Sequence, residues 1–121
     1  LIKKSDIISL HVHLNNETQE MIDKKSFSLM KKNVIIVNTS RGEIINEKDL
    51  IYFIKKNKNA KYATDVLSKE VSNKKNHLLI NFAKNNNQIL ITPHIGGMTQ
   101  EAQKIAFLYA AKKLDSFLKL K

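Results

Sequence analysis

The sequence predicts an α/β fold built on a parallel sheet, on three observations. Four short apolar runs, at residues 7–12, 34–38, 62–66 and 89–91, are rich in the β-branched residues that strands favour. Stretches with helical spacing or helix-capping residues separate them, and strands that alternate with helices pair in parallel. With 121 residues and 42% hydrophobic content, the chain has material for one modest core, so one domain or part of a larger one is expected.

Each element has its own warrant. Ser5-Asp6 lead into Ile7-Ile8-Ser9-Leu10-His11-Val12, a mostly apolar run of the kind a sheet covered on both faces requires. Asn15-Asn16 break it, and residues 17–30 have a weak helical pattern in Met21, Ile22, Leu29 and Met30. Lys31-Lys32-Asn33 form a turn before Val34-Ile35-Ile36-Val37-Asn38, the clearest strand. Asn46 is a helix cap, with Glu47 and Asp49 in the first turn, where the positive end of the dipole favours acids. Leu50, Ile51, Phe53 and Ile54 give that helix an apolar side, and residues 57–59 stop it. Residues 62–66 are the third strand, 67–76 a polar irregular stretch, and 78–83 a short helix ended by Asn85-Asn86-Asn87. Ile89-Leu90-Ile91 form the fourth strand, closed by Thr92-Pro93. From a cap at Thr99, a final helix carries Ala102, Ile105, Ala106, Tyr109, Ala110, Leu114 and Phe117 on one side.

Composition narrows the function. No run approaches the roughly 18 apolar residues that a membrane span needs. Leu1-Ile2-Lys3-Lys4 show neither an initiating Met nor a signal-peptide pattern, so the chain reads as a piece of a longer one. With no Cys there is no disulfide framework and no thiolate metal site, which fits a reducing compartment. The net charge of +10 invites a nucleic-acid partner, but the lysines are scattered in pairs without interleaved aromatics. The charge therefore reads as background on solvated positions.

The rare residues are more informative. The one Arg (41), the one Pro (93) and the three Gly (42, 96 and 97) fall in two segments, Asn38-Thr39-Ser40-Arg41-Gly42 and Thr92-Pro93-His94-Ile95-Gly96-Gly97. Each follows an expected strand, and the carboxyl ends of strands in an open α/β sheet form the ligand crevice. Arg41, in a chain that otherwise uses Lys, suggests a site needing the planar fork that grips a carboxylate. His94 becomes a general acid/base if an acid holds one ring nitrogen. Asp65 and Glu70 are both candidates, and spacing does not choose between them. His11 and His13 would share a strand face, but no third ligand stands near them, so no metal site is expected. His77 reads as a solvated loop residue.

These motifs, in this order and with Ser5-Asp6-Ile7-Ile8-Ser9-Leu10-His11, Met30-Lys31-Lys32, Asp65-Val66, Glu70 and Thr99, resemble the NAD(P)-dependent D-isomer-specific 2-hydroxyacid dehydrogenases. The resemblance implies a three-layer, Rossmann-like parallel sheet. Residues 1–98 would be the second half of an NAD-binding domain, and residues 99–121 a C-terminal helix returning toward a substrate domain. It also implies hydride transfer between nicotinamide and C2 of a 2-hydroxy or 2-oxo acid, such as D-3-phosphoglycerate, D-lactate, or glyoxylate and hydroxypyruvate.

In that scheme Arg41 binds the substrate carboxylate, Glu70 holds the imidazole, and His94 exchanges the proton. NAD, with NADP left open, would meet Asp65 at its carboxamide, with Thr39, Ser40, His94, Gly96 and Gly97 at the same end. His11, Val12 and His13 would border the adenine side. A small-molecule acid as partner, a homodimer and a cytoplasmic location are the accompanying expectations, with no nucleic acid, membrane or metal involved. The competing reading is a dinucleotide-sensing or scaffold protein of the same fold.

Three departures from the family pattern stand out. His13 and Val71 occupy positions that are usually Pro, which changes loop stiffness rather than chemistry. No Gly-x-Gly-x-x-Gly is present, so the grip on the cofactor's pyrophosphate is expected upstream of this chain.

Overall fold

Four strands lie side by side in chain order: β1 (Ile7–Leu10), β2 (Ile35–Asn38), β3 (Lys61–Thr64) and β4 (Ile89–Ile91). All neighbours are parallel, with Ile7 opposite Ile35, Ile35 opposite Lys61, and Tyr62 opposite Ile89. This is a computed structural model that describes residues 1–70 and 76–119. Val71 lies outside the described residues.

Alternation along the strands sends Ile8, Leu10, Ile36, Tyr62 and Ile89 into one buried cluster. Helices α1 (Lys24–Leu29), α2 (Glu47–Lys56) and α3 (Leu78–Ala83) supply the other side of that core through Phe27, Leu50, Phe53, Ile54 and Leu79. The Phe27 and Phe53 rings stack with centroids 5.1 Å apart, locking α1 to α2. The opposite sheet face is open in this chain, where Ile7 and Leu90 are each 63% exposed. Among the described residues, the apolar runs that suit a doubly covered sheet thus carry the α1–α3 layer on one side, while Ile7 and Leu90 on the other stand exposed.

Local chemistry sets the helix boundaries. Asn46 caps α2 by accepting a hydrogen bond from the Asp49 amide, and Lys55 and Lys56 sit in its last turn, where cations complement the dipole. The α1 helix is shorter than the 17–30 stretch suggested. Asn15 Oδ1 accepts from the amides of Glu17 and Thr18, which bends this segment into a turn, and the helix starts only after Asp23, whose side chain caps the Ser26 amide. The first strand ends at Leu10, so His11 and Val12 lie beyond it. The third strand runs from Lys61 to Thr64, one residue earlier at its start and two at its end than residues 62–66.

The last helix, α4 (Gln100–Lys119), begins as expected, with Thr99 Oγ1 accepting from the Ala102 amide at 3.2 Å. None of its described residues is buried, and Ile105 is 69% exposed. Its apolar side thus stays uncovered in this chain.

Candidate active site

The site is built on the carboxyl ends of β1 to β4. At the end of β2, Asn38 is fully buried and its carboxamide organises the turn that follows. Its Nδ2 donates to the Arg41 carbonyl at 2.9 Å, and its Oδ1 accepts from the Ser40 amide at 3.0 Å. Ser40 Oγ reaches the Leu10 carbonyl at 2.9 Å, tying the turn to the end of β1. Arg41 is left exposed at the edge, with Nη1 donating to the Ser40 carbonyl at 2.6 Å.

Gly42 explains how the next loop comes near. A Cβ at this position would stand 2.0 Å from the Leu67 carbonyl carbon and 2.1 Å from the Ser68 nitrogen. The backbone at 67–68 therefore crosses directly against Gly42, which brings the segment holding Glu70 beside the segment holding Arg41.

His94 Nδ1 lies 2.7 Å from Glu70 Oε2, an ion-pair and hydrogen-bond distance. This contact selects Glu70 rather than Asp65 as the partner of the imidazole. A carboxylate only accepts, so the proton sits on Nδ1 and Nε2 is the nitrogen available to exchange with a substrate. The pair is partly open to water, with side-chain exposures of 47% for His94 and 24% for Glu70. Both sides of it rest on left-handed backbone, with φ of 57° at His94 and 52° at Lys69, next to Glu70. Such conformations are uncommon for residues with a Cβ and concentrate where the surroundings impose them.

Asp65 is the anchor of the loop that carries His94. Its carboxylate accepts from Thr92 Oγ1 at 2.5 Å, the Ile95 amide at 3.0 Å and the Gly96 amide at 2.8 Å. Burial pushes its carboxyl up, but these bonds outweigh that and hold it below its ordinary value. A Cβ on Gly96 would come within 3.0 Å of Asp65 Oδ2, whereas Gly97 faces open space.

Two hollows flank these groups. One of about 370 Å³ is lined by Leu67, Glu70, Ile80, Ile91, Pro93 and His94. A smaller one of about 100 Å³ opens on the uncovered sheet face, between Val37, Thr39, Ala63, Asp65, Leu90 and Thr92. His11, Val12 and His13 follow β1 at the same sheet edge; His11 Nε2 is 2.7 Å from Ser9 Oγ, and the His13 carbonyl accepts from Thr18 Oγ1 at 2.6 Å. Because both histidines lie past the strand end, their spacing of two does not place them on one strand face. Among the described residues, no group of three His, Asp or Glu could hold a metal ion, and no helix is long and apolar enough to cross a membrane.

His77 corrects the sequence reading: it is buried rather than solvated. Its Nε2 is 2.8 Å from the Ser68 carbonyl and 3.5 Å from Glu47 Oε2. Its ring nitrogen meets the Ser68 carbonyl nine residues before it and lies near Glu47 at the start of α2, thirty residues away. Glu43, Glu47 and Ser68 were also missed as members of the site's surroundings. No local pattern pointed to them, because Glu43 lies in the 3-10 turn Gly42–Ile44 and Glu47 opens α2, and only the fold brings the 68–69 backbone to both.

Residues 1–96 match the D-isomer specific 2-hydroxyacid dehydrogenase, NAD binding domain family. The chain is 40% identical over 119 residues to a D-3-phosphoglycerate dehydrogenase of Methanocaldococcus jannaschii, covering 98% of this chain and 22% of that protein. It is 39% identical over 120 residues to a glyoxylate reductase of Thermococcus litoralis, of which it covers 34%. The crystal structure of Aquifex aeolicus D-lactate dehydrogenase complexed with NAD and lactic acid superposes with a TM-score of 0.76 at 30% identity, over 98% of this chain and 38% of that one. The chain thus spans between about a fifth and a third of the length of these curated relatives.

Proposed function

The chain belongs to the D-isomer specific 2-hydroxyacid dehydrogenase family through its NAD-binding domain, and from that premise we propose that it carries the acid–base edge of an oxidoreductase acting between nicotinamide and C2 of a 2-hydroxy or 2-oxo acid. The observation that carries this reading is the 2.7 Å contact between His94 Nδ1 and Glu70, on the same sheet edge as Arg41. A dyad and an exposed guanidinium on one edge of the sheet suit a substrate that bears a carboxylate next to a carbonyl.

In the reductive direction, the fork of Arg41 takes the substrate carboxylate in paired hydrogen bonds and turns its C2 carbonyl toward His94. Protonated His94 donates from Nε2 to the carbonyl oxygen as C2 accepts hydride, and Glu70 stabilises the imidazolium before the proton leaves. In the oxidative direction Nε2 takes the hydroxyl proton. NAD, when bound, supplies or accepts the hydride.

The residues at the nicotinamide end fit that group. The hollow on the open sheet face has an apolar floor of Val37, Ala63 and Leu90 and polar ends at Thr39, Asp65 and Thr92, suiting a flat ring with an amide. Asp65 accepts three bonds of about four that a carboxylate can take, which leaves room for one amide donor. Ser40, Gly96 and Gly97 line the same end, and His11, Val12 and His13 the adenine side. A homodimer and a cytoplasmic location belong to the same proposal.

The test is NADH-dependent reduction of a panel of 2-oxo acids (glyoxylate, hydroxypyruvate and pyruvate) by the whole protein. Turnover of at least one is expected. Tight dinucleotide binding with no turnover on any of them would overturn the enzymatic reading in favour of a sensor or scaffold.

A further inference from the structure

The position of Glu70 poses a problem, because the described residues between β3 and Glu70 form no helix or strand. Left-handed backbone at Lys69, φ 52°, immediately precedes it. Residues 68 and 69 are nevertheless gripped by three side chains from elsewhere. The Ser68 amide donates to Glu47 Oε1 at 3.1 Å, and the Ser68 carbonyl lies 2.8 Å from His77 Nε2. The Lys69 amide donates to Glu43 Oε1 at 2.9 Å. Glu47 and His77 are themselves 3.5 Å apart, with side-chain exposures of only 11% and 6%.

We propose that Glu43, Glu47 and His77 form a positioning clip that fixes the Ser68–Lys69 backbone so that Glu70 meets His94. The proposal deepens the reading above and rests on Glu70 and His94 being its acid–base pair.

The chemistry of the clip argues for position rather than bulk stability. Burying a carboxylate is unfavourable unless its oxygens are bonded, and an apolar side chain would fill the same space without that penalty. Burial indeed pushes the Glu47 carboxyl above its ordinary value, with the Ser68 amide and His77 pulling against it. What the carboxylate and imidazole add is directionality: together they hold both the N–H and the C=O of one peptide residue, which fixes the orientation of the chain entering Glu70. The clip also couples the two halves of the site. Glu43 lies in the short 3-10 turn Gly42–Ile44 that directly follows Arg41, and Glu47 opens α2. Arg41 and Glu70 are therefore held by one connected set of groups, with the absent Cβ of Gly42 permitting the approach.

None of the three clip residues is placed against substrate or cofactor, so their effect is expected in kcat with KM nearly unchanged. In the whole protein, Glu47→Leu and His77→Leu should each lower kcat by roughly 10- to 100-fold, the size expected when a catalytic group shifts by about 1 Å. Glu47→Gln, which keeps an acceptor for the Ser68 amide, and His77→Gln, which keeps a donor for its carbonyl, should retain most activity. Amide hydrogen exchange at Ser68 and Lys69 should quicken in the Leu variants. Adding Glu47→Leu to Glu70→Gln should cost little more than Glu70→Gln alone, because a residue acting through Glu70 has nothing left to position.

Folded Leu variants with unchanged exchange at residues 68 and 69, or losses that multiply in the double variant, would overturn the clip. If a Leu variant does not fold, Glu43→Ala leaves the buried pair in place and tests the same grip: faster exchange at Lys69 and a several-fold drop in kcat are expected, and no change in either would contradict it. A Glu70→Gln variant with full kcat would refute the acid–base reading instead, while the exchange measurements still judge the clip.

Discussion

Two regions of this chain treat their surfaces in opposite ways. At the carboxyl edge of the sheet, Asn38, Asp65, Glu43, Glu47 and His77 bond the loops that carry Arg41, Glu70 and His94. On the open sheet face and along α4, by contrast, apolar side chains such as Ile7, Leu90 and Ile105 stand uncovered. The difference teaches which parts of the chemistry this chain assembles by itself. Among the described residues, the contact between His94 and Glu70 and the bonds that hold their two loops all form within this chain.

The largest effect should come from the finished edge. His94→Ala is expected to lower turnover by about 10²–10⁴-fold, the usual contribution of a positioned proton donor, measured by steady-state NADH oxidation. Next comes Gly42→Ala, which drives a methyl into the backbone at Leu67 and Ser68. It should destabilise the fold by about 3 kcal/mol or more in thermal or urea melting. Gly97→Ala, with nothing within 4 Å of its new methyl, should change stability by under about 0.5 kcal/mol. Equal effects of the two glycine variants would contradict the close backbone crossing at Gly42.

Arg41→Lys keeps the charge but loses the fork, so the KM for a 2-oxo acid should rise about tenfold with kcat less affected. The smallest effect concerns Asp65. Its carboxyl titrates below its ordinary 3.8 in the folded chain, so its contribution is present above that pH and is lost as pH falls through the lower folded value. Wild type should melt higher than Asp65→Asn near neutrality, and the gap should close below about pH 4. A gap that widens on acidification would contradict the anchoring role.

Much of this was legible from local sequence. The Asn46 cap and the apolar positions Leu50, Ile51, Phe53 and Ile54 define α2, and the short α3 falls on the 78–83 stretch, because caps and periodicity act over a few residues. The two strand-end loops of the candidate site stand out through the rare Arg, Pro and Gly, since such turns impose demands that lysine-rich background does not. Long-range contacts were not legible. Asp65 and Glu70 were indistinguishable by spacing, and they separate only because Thr92, Ile95 and Gly96 claim Asp65. His77 sits beside the polar Asn76, yet its burial depends on the carbonyl of Ser68, which no local pattern announces. The sparse apolar residues between 17 and 30 concealed that Asn15 makes a turn before Asp23 starts α1.

The central claim is that Glu70 and His94 work as one acid–base unit, and a double-mutant cycle on turnover tests it most directly. Glu70→Gln, His94→Gln and the double variant would be compared with wild type in the whole protein. The account predicts that the double variant is no slower than His94→Gln alone, since Glu70 acts only through the imidazole. Losses that multiply would contradict it and separate the two residues.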